Sequence, residues 1–190
     1  HTVALSEAGH VFTWGCGFFG QLGHNNNVNE LAPRQIAGGA FMGEKVVFVA
    51  AGENHTAAVT SEGQLYTWGK GSLGELGHGD ANHKLAPTLV WSQTGSAFGA
   101  PEDRAVVMAT CGNKHTLVVT RDGGLWACGE GRDGQLGLND RLARYTFERV
   151  GATGTRFVAA AAGYSHSAAV TEDGALWTWG RGDDGELGHG

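Results

Sequence analysis

Proline and cysteine are scarce in this chain, with three of each among 190 residues. The three cysteines, Cys16, Cys111 and Cys128, are an odd number, and none belongs to a CxxC pair. This usage argues against a disulfide framework or a zinc site built on such pairs, and it favours an intracellular, reducing compartment, cytoplasmic or nuclear. The longest apolar runs, such as residues 46–51, are far too short to cross a bilayer. We therefore expect no membrane insertion.

Basic residues are also few: 13 lysines and arginines stand against 19 aspartates and glutamates, a formal net charge of −6. Such a chain has no overall electrostatic attraction to phosphate backbones or anionic lipids, so nucleic acid is a disfavoured partner. A local exception lies between residues 132 and 156, where arginines outnumber acidic residues. A solvated loop is the default interpretation of that strip.

Glycine, by contrast, is abundant, at 33 residues, and the chain contains 6 Trp and 8 Phe. A chain with this many large apolar side chains is expected to form a packed globule rather than a disordered segment. Many glycines together with many aromatic residues are typical of short strands joined by tight turns, because glycine adopts backbone conformations that other residues avoid.

A single segment recurs four times along the chain. It reads HTVALSEAGHVFTWGCGFFGQLGH from His1, HTAAVTSEGQLYTWGKGSLGELGH from His55, HTLVVTRDGGLWACGEGRDGQLGL from His115 and HSAAVTEDGALWTWGRGDDGELGH from His166. An apolar run precedes three of the copies: VVFVAAG at 46–52, VVMATCG at 106–112 and FVAAAAG at 157–163. A catalytic site needs its special residues once, whereas a scaffold needs them once per unit. The repeated residues are therefore predicted to be structural.

Each unit is predicted to contain several short strands. The apolar run suits a strand buried on both faces, and Gly9, Gly63, Gly123 and Gly174 mark a tight hairpin turn. The next strand carries a tryptophan that would support its unit, and Cys128 in the third copy is expected to leave that unit less well filled. The positions predicted to be structural, including a leucine that plugs the gap between sheets, are His55, His115, His166, Gly63, Gly69, Gly74, Gly77, Leu76, Trp14, Trp68 and Trp179.

The spacing of the repeats predicts the fold class. Their first histidines are 54, 60 and 51 residues apart, and a unit of this length with several short strands is the signature of a β-propeller blade. Leucine-rich and helical repeats are shorter and carry a helical period that is absent here. We predict an all-β propeller in which residues 1–190 supply about three and a half units.

The stretch at 51–80, AGENHTAAVTSEGQLYTWGKGSLGELGHGD, resembles the repeat of the regulator of chromosome condensation family. The resemblance covers the whole chain. It implies a seven-bladed propeller of which this chain would form about half. The remaining blades would come from the same longer chain or, as the less favoured alternative, from a second copy.

The resemblance implies three kinds of function. Propellers of the giant HECT-type ubiquitin ligases act as interaction platforms and have the repeats most like this one, so a non-enzymatic platform for protein partners is the favoured prediction. Another member is a guanine-nucleotide exchange factor for the small GTPase Ran, which would make a small GTPase the partner. A third, the plant ultraviolet-B photoreceptor, carries tryptophan in a Gly-Trp-Arg-His-Thr motif. The matching dipeptides here, at 53–54, 113–114 and 164–165, contain no tryptophan.

The longest insertion between repeats is the candidate partner-binding loop. It runs through residues 89–104, and its candidate contact residues are Trp91, Phe98, Glu102, Asp103 and Arg104. The alternative is a solvent loop whose Trp91 folds back onto the barrel.

No catalytic residue, metal site or cofactor is predicted. His24, His78 and His189 share one repeat position and would lie one blade apart, too far to bind one ion, while the pair His78 and His83 lacks a third ligand nearby in sequence. Cys111 follows a buried strand, which favours a small buried filler over a nucleophile. The glycine-rich runs lack the GxxxxGK[ST] spacing of a phosphate-binding loop.

Overall fold

The computed structural model describes residues 1–37, 39–90 and 105–189. Within these ranges the regular structure consists of β-strands, and no helix there is long and apolar enough to cross a membrane. The strands are β1 (Thr2–Leu5), β2 (Val11–Gly15), β3 (Glu30–Gln35), β4 (Val46–Ala51), β5 (His55–Thr60), β6 (Leu65–Gly69), β7 (Lys84–Leu89), β8 (Val106–Cys111), β9 (His115–Thr120), β10 (Leu125–Gly129), β11 (Arg144–Val150), β12 (Phe157–Ala162), β13 (His166–Thr171) and β14 (Leu176–Gly180).

The strands form four antiparallel sheets, each a meander in chain order, which we call blades 1 to 4. Blade 1 contains β1–β3, blade 2 contains β4–β7, blade 3 contains β8–β11 and blade 4 contains β12–β14. Strand β8 contacts both β4 and β12, so the first strands of blades 2 to 4 lie nearest to a common axis. The prediction of an all-β propeller is confirmed.

The blades have two ends, which carry different loops. The upper face carries the short loops before the repeat histidines, residues 52–54, 112–114 and 163–165, and the longer loops 16–29, 70–83 and 130–143. The lower face carries the hairpin turns and the connections between blades.

A glycine with positive φ allows each hairpin turn to form. Gly9, Gly63, Gly123 and Gly174 have φ values of 88°, 78°, 79° and 87°, as their place in the repeat predicted. This region of φ favours glycine, and in each turn the glycine N–H donates to a carbonyl three residues earlier, as Gly63 does to Thr60 at 2.9 Å.

The innermost strands differ from the prediction, because they are not buried on both faces. Val47, Val107 and Val158 are 48%, 44% and 55% exposed. Each lies at a β-bulge, where the pairing with the next strand shifts register, for example between Val46 and Phe48. A bulged residue has no cross-strand partner, and no strand of the same blade pairs with the inner side of β4, β8 or β12.

The hydrophobic core lies in the seams between blades. Tyr66 and Trp68 of blade 2 pack with Val11 and Ile36 against blade 1. The second seam is built around Trp126 and the third around residues such as Leu117, Phe157 and Ala169. Small residues on one strand stand beside large ones on its neighbour, as in the pair Ala58 and Tyr66. Each seam therefore needs side chains from two successive repeats.

The third unit is not underfilled, contrary to the expectation from Cys128. Cys128 is fully buried and packs in one cluster with Phe147 of β11. A methyl group added to Gly77 of blade 2 would lie 2.3 Å from the Phe147 ring and 3.3 Å from Cys128 Sγ. The phenyl ring thus occupies space beside the small thiol, at a position where β3 and β7 have Pro33 and Pro87.

Candidate functional site: the blade seams and the upper face

The repeat histidines connect neighbouring blades by hydrogen bonds. His1 Nε2 lies 2.8 Å from Thr56 Oγ1, and His55 Nε2 lies 2.9 Å from Thr116 Oγ1. The third seam has the same contact, at 2.9 Å, between His115 and Ser167. The histidines were predicted from the repeats to be structural, whereas the hydroxyl residues were not, although each hydroxyl residue directly follows a repeat histidine in the sequence.

The hydroxyl groups determine which nitrogen carries the proton. Thr56 Oγ1 donates its hydrogen to Gln21 O at 2.7 Å, and Thr116 Oγ1 donates to Glu75 O at 2.6 Å. A hydroxyl that has donated its one hydrogen must accept from the histidine, so His1 and His55 are Nε2–H tautomers. Each histidine is thereby held in one orientation, in which its Nε2–H group links two neighbouring blades.

Burial keeps the seam histidines neutral. It lowers the pKa of His55 to about 3, with a smaller contribution from the positive charge of His115, and lowers the pKa of His115 to about 4. Both rings are fully buried, and their Nδ1 atoms have no hydrogen-bond partner among the described residues. A buried imidazole that stays neutral at pH 7 is a structural group rather than an exposed acid or base.

The seam tryptophans use the same carbonyl groups. Trp68 Nε1 donates to Gln21 O at 2.9 Å, and Trp179 Nε1 donates to Gln135 O at 2.8 Å. In the intervening seam the equivalent contact is longer, 3.6 Å from Cys128 Sγ to Glu75 O. In blades 1 to 3, one carbonyl of the glycine-rich loop therefore accepts from two side chains of the next blade.

The histidines at the shared repeat position form hydrogen bonds within their own blades. His24, His78 and His189 each place Nε2 within 3.0 Å of a threonine hydroxyl of the same blade. His83 Nδ1 accepts a hydrogen bond from Gly71 N at 3.1 Å. Across the described ranges, no group of three or more His, Cys, Asp or Glu side chains is arranged to hold a metal ion.

Cys111 does not form a nucleophile–base pair with the nearby repeat histidine. Burial raises the pKa of Cys111 to about 12, so the group is a neutral thiol at physiological pH. The Nε2 atom of His115, the histidine in question, is directed to Ser167 across the next seam. The thiol packs in the hydrophobic cluster between blades 2 and 3.

The predicted partner-binding residues Trp91, Phe98, Glu102, Asp103 and Arg104 lie outside the described residues. The two ends of their segment are placed, however. Val90 N donates to Leu65 O at 2.9 Å, and Ala105 O accepts from Arg121 N at 2.8 Å. The insertion therefore leaves from and returns to the lower face between blades 2 and 3.

The upper face combines a constant backbone with changing side chains. Lys70, Glu130 and Arg181 occupy one repeat position, and their N–H groups donate to carbonyls of the short loops at 2.8, 2.8 and 2.9 Å. Their side chains differ: Lys70 lies over the Phe19 ring, Glu130 pairs with a lysine, and Arg181 pairs with an aspartate. Blade 1 has the exposed thiol of Cys16 at this position.

Two neighbouring phenylalanines add an apolar patch to this face. Phe18 is exposed and packs edge-on against Phe19, with ring centroids 5.4 Å apart. Phe19 in turn contacts His83 of blade 2 edge-on at 5.5 Å. The equivalent pairs are Ser72 and Leu73 in blade 2 and Arg132 and Asp133 in blade 3, so this aromatic surface is particular to the first seam.

Comparison with known proteins places this architecture in a family. Residues 1–190 match the RCC1-like domain. The ultraviolet-B receptor UVR8 of Arabidopsis thaliana is 41% identical over the whole chain, which spans 41% of that protein. The human E3 ubiquitin-protein ligase HERC2 is 37% identical, and the chain spans 4% of its length.

Solved structures agree on the fold. Human WBSCR16 superimposes with a TM-score of 0.83 at 26% identity, covering 98% of this chain and 46% of that one. Yeast RCC1 (Prp20), solved with Kap60 bound to it, gives a TM-score of 0.80 at 26% identity, covering 99% and 43%. The four blades thus correspond to less than half of each of these proteins. The family match covers all 190 residues, and the seam contacts recur at the repeat positions. This chain therefore belongs to the RCC1-like domain family.

Proposed function

We propose that the chain is a non-enzymatic platform for binding protein partners. The observation that carries this proposal is that some repeat positions are buried and structural, whereas others are exposed and differ from blade to blade. Buried histidine, hydroxyl and tryptophan groups hold the blades together, while the loop positions above them present a thiol, a lysine, a glutamate and an arginine on one backbone. A constant frame with a variable loop surface is typical of recognition modules.

The family relationship supports a modular role. HERC2 is an E3 ubiquitin-protein ligase of which the chain spans 4%, so a domain of this kind occurs within a much longer protein. We infer that this chain likewise works beside other segments, with further blades supplied by the same chain rather than by a second copy. The free thiols Cys16, Cys111 and Cys128 fit an intracellular location.

The second candidate is guanine-nucleotide exchange on a small GTPase. The likeness to yeast RCC1 at 26% identity favours it. Such exchange requires no covalent chemistry from the propeller, because loops that distort a nucleotide pocket are enough. The photoreceptor function of UVR8 is not proposed, because residues 53, 113 and 164 are Glu, Asn and Tyr, where the photoreceptor motif has tryptophan.

Affinity capture separates the two candidates. The full-length protein, isolated from its own cells, is washed with GDP, with GTP or with buffer, and the retained proteins are identified by mass spectrometry. Partners that are insensitive to nucleotide support the platform. A small GTPase that is retained without nucleotide and released by it would replace the platform with the exchange factor.

Surface variants test whether the upper face carries the binding. Phe18→Ser and Arg132→Ser change exposed side chains of the long loops, and Arg34→Ser on β3 is the control. We expect the two loop variants to lose partners while keeping the unfolding temperature of the unmodified protein. Full retention of every partner by both loop variants would contradict binding through this face.

A further inference from the structure

The first seam, between blades 1 and 2, ends on the upper face in two phenyl rings and two nitrogen-bearing side chains. Phe18 is 69% exposed and packs edge-on against Phe19. Blade 2 contributes Lys70, whose Nζ lies 5.2 Å from the centre of the Phe19 ring, and His83, whose ring centroid lies 5.5 Å from it. We call these four residues the aromatic–cation patch.

The contacts of the long loops run in one direction, from each blade to the next. Phe19 of blade 1 contacts the His83 ring of blade 2, and Gly20 lies against Leu85 of blade 2. The neighbour that covers this part of the loop is therefore blade 2, whose loop and strands are described. Phe18 stays exposed in the presence of that neighbour.

The exposure of Phe18 belongs to its position in the loop. Ser72 has this position in blade 2 and is partly exposed, although the long loops of blades 1 and 3 on either side of it are described. A blade preceding blade 1 would, by the direction of the loop contacts, meet Cys16 and Asn29, which have the positions of the lysine and the histidine. It would not cover the Phe18 ring.

The second seam has the same backbone but a different chemistry. At the four positions of the patch it has Ser72, Leu73, Glu130 and Ala143. The carboxylate of Glu130 lies 3.6 Å from Lys114 Nζ, so the charge at this seam is already paired. Aromatic rings beside a cation therefore distinguish the first seam from the second.

The positive charge of the patch has no carboxylate in contact with it. Lys70 forms no ion pair within residues 1–37, 39–90 and 105–189. The charge of Glu75, in the same loop, interacts with Lys70, but Glu75 is buried and its Oε2 accepts from Leu73 N. An ammonium group that lies over a ring keeps N–H donors for a further acceptor.

His83 adds a second donor to the patch. Its Nδ1 accepts a hydrogen bond from Gly71 N at 3.1 Å, so the neutral ring carries its proton on Nε2. The side chain is exposed, so this N–H group lies at the surface. The patch thus presents apolar rings flanked by donors, and it contains no acidic side chain.

We propose that the aromatic–cation patch binds a segment of a protein partner that packs an apolar side chain on Phe18 and Phe19 and places an adjacent aspartate or glutamate beside Lys70. The rings supply apolar area to be buried, and the lysine supplies the preference for an acidic neighbour. The inference rests on the proposed platform function and specifies the chemistry of the partner that its upper face selects.

The test uses three blocked dipeptides as probes: acetyl-Phe-Glu-amide, acetyl-Phe-Gln-amide and acetyl-Ala-Glu-amide. Each is titrated to millimolar concentration into the full-length protein with ¹³C-labelled histidine, and the ring C–H signal of His83 is followed by NMR. The signal is assigned by its loss in His83→Gln, and the exposed His10 reports any change of pH. We expect the Phe-Glu probe to shift the His83 signal, the Phe-Gln probe to bind more weakly and the Ala-Glu probe to leave it unchanged.

Variants separate the charge from the rings. Lys70→Gln should weaken the Phe-Glu probe by about two- to fivefold, the range for an exposed ion pair, and leave the Phe-Gln probe unchanged. Lys45→Gln, at an exposed lysine of the lower face, should have no effect on either probe. Phe18→Ser gives blade 1 the residue of blade 2 and should abolish the preference for Phe-Glu over Ala-Glu.

Three results would overturn the proposal. The first is a His83 signal that no probe shifts, and the second is equal binding of Phe-Glu and Phe-Gln or of Phe-Glu and Ala-Glu. The third is a His83 signal that shifts with protein concentration in the absence of any probe and no longer does so in Phe18→Ser, because the occupant would then be a second copy of this chain.

Failure here is distinguishable from failure of the platform. If the probes leave His83 unaffected while Phe18→Ser and Arg132→Ser still lose captured partners, the platform stands and its partners have a different chemistry. If both variants keep every captured partner but the Phe-Glu probe shifts His83 in a way that depends on Lys70, the patch binds acidic segments and the captured partners use another surface.

Discussion

Glu75 in the upper loop of blade 2 occupies a position where blades 1 and 3 have Gln21 and Gln135. Its Oε2 accepts a hydrogen bond from Leu73 N at 2.6 Å, but its buried Oε1 has no hydrogen-bond partner among the described residues. Burial raises the pKa of Glu75, and hydrogen bonds from backbone N–H groups, with a smaller contribution from Lys70, offset only part of this effect. Gln21 Nε2 is likewise buried with no hydrogen-bond partner among the described residues, so the feature particular to Glu75 is the burial of a negative charge.

Glu75→Gln is therefore expected to raise the free energy of unfolding by about 1 kcal/mol at neutral pH. Since folding raises the pKa of Glu75, its carboxylate destabilises the fold as the pH rises through that pKa. The advantage of glutamine should fade as the pH falls to the ordinary carboxyl range. Urea denaturation at neutral pH and at about pH 4 measures both values. The exposed Glu53→Gln is the control, and an equal gain at both pH values would contradict the assignment.

Thr116 is the residue through which a seam histidine is held. It accepts from His55 and donates to Glu75 O, so Thr116→Val leaves the buried His55 N–H without an acceptor and Glu75 O with only the long contact to the Cys128 thiol. We expect a loss of about 1–3 kcal/mol in the free energy of unfolding, measured by chemical denaturation. Thr2→Val is the matched control, because Thr2 has the same repeat position in blade 1 and is exposed. Similar losses for both variants would show that the seam hydrogen bonds contribute little.

At the scale of the element, β10 and β11 of blade 3 depart together from the pattern of the other blades. Cys128 replaces a tryptophan, and Phe147 of the adjacent strand stands where β3 and β7 have proline. The two changes are complementary in volume, since the small thiol and the large ring pack in one cluster against blade 2. Exchanging only one of them should therefore disturb the second seam.

A double-mutant cycle checks this compensation. Phe147→Pro alone should cost about 3–5 kcal/mol through the cavity it opens, and Cys128→Trp alone should cost about 1–3 kcal/mol through overpacking. The double variant restores the pair found at Trp68 and Pro87, so its loss should be smaller than the sum of the single losses by at least about 1 kcal/mol. Additive losses in thermal and chemical unfolding would show that the two positions are independent.

Structural features could be predicted from the sequence at positions where the four repeats have the same type of residue. The hairpin glycines, the small-beside-large strand pairs and the buried Trp68 follow from the repeat itself. The bulge at Val47 was not predictable, because a run of apolar residues is equally consistent with a buried strand. The role of Phe147 was also hidden, since Cys128 lies 19 positions earlier in the sequence and only the pairing of β10 with β11 brings them together.

At the scale of the whole molecule, stability is shared between neighbours. Each seam is completed by a histidine from one blade and a hydroxyl from the next. In the first seam Leu85 also lies against Gly20 of the preceding blade, and in the second seam Tyr145 lies against Gly74. In such an array the total stability is approximately a sum of blade and seam contributions. Loss of one seam should therefore weaken its two blades before the others.

Acid should open the seams, because the buried histidines are neutral in the fold. The pKa values of about 3 for His55 and about 4 for His115 lie below the ordinary value of 6.5, so the unfolded chain binds more protons than the folded one. Each of these residues lowers the free energy of unfolding by about 1.4 kcal/mol per pH unit between pH 6.5 and its own folded pKa. The neighbouring charges act in the same direction, since His115 and Lys70 lie near His55 and His166 lies near His115.

Urea midpoints measured from neutral pH to about pH 4 give this slope directly. His115→Asn should reduce it by about one proton, that is by about 1.4 kcal/mol per pH unit, whereas the exposed His10→Asn in the first hairpin turn should leave it unchanged. If His115→Asn is too unstable to measure, proton uptake on unfolding of the unmodified protein at about pH 5 gives the same information, with about two protons expected from the two seams. A pH-independent free energy of unfolding over this range would mean that the seam histidines are not kept neutral, and that their hydrogen bonds across the blades survive protonation.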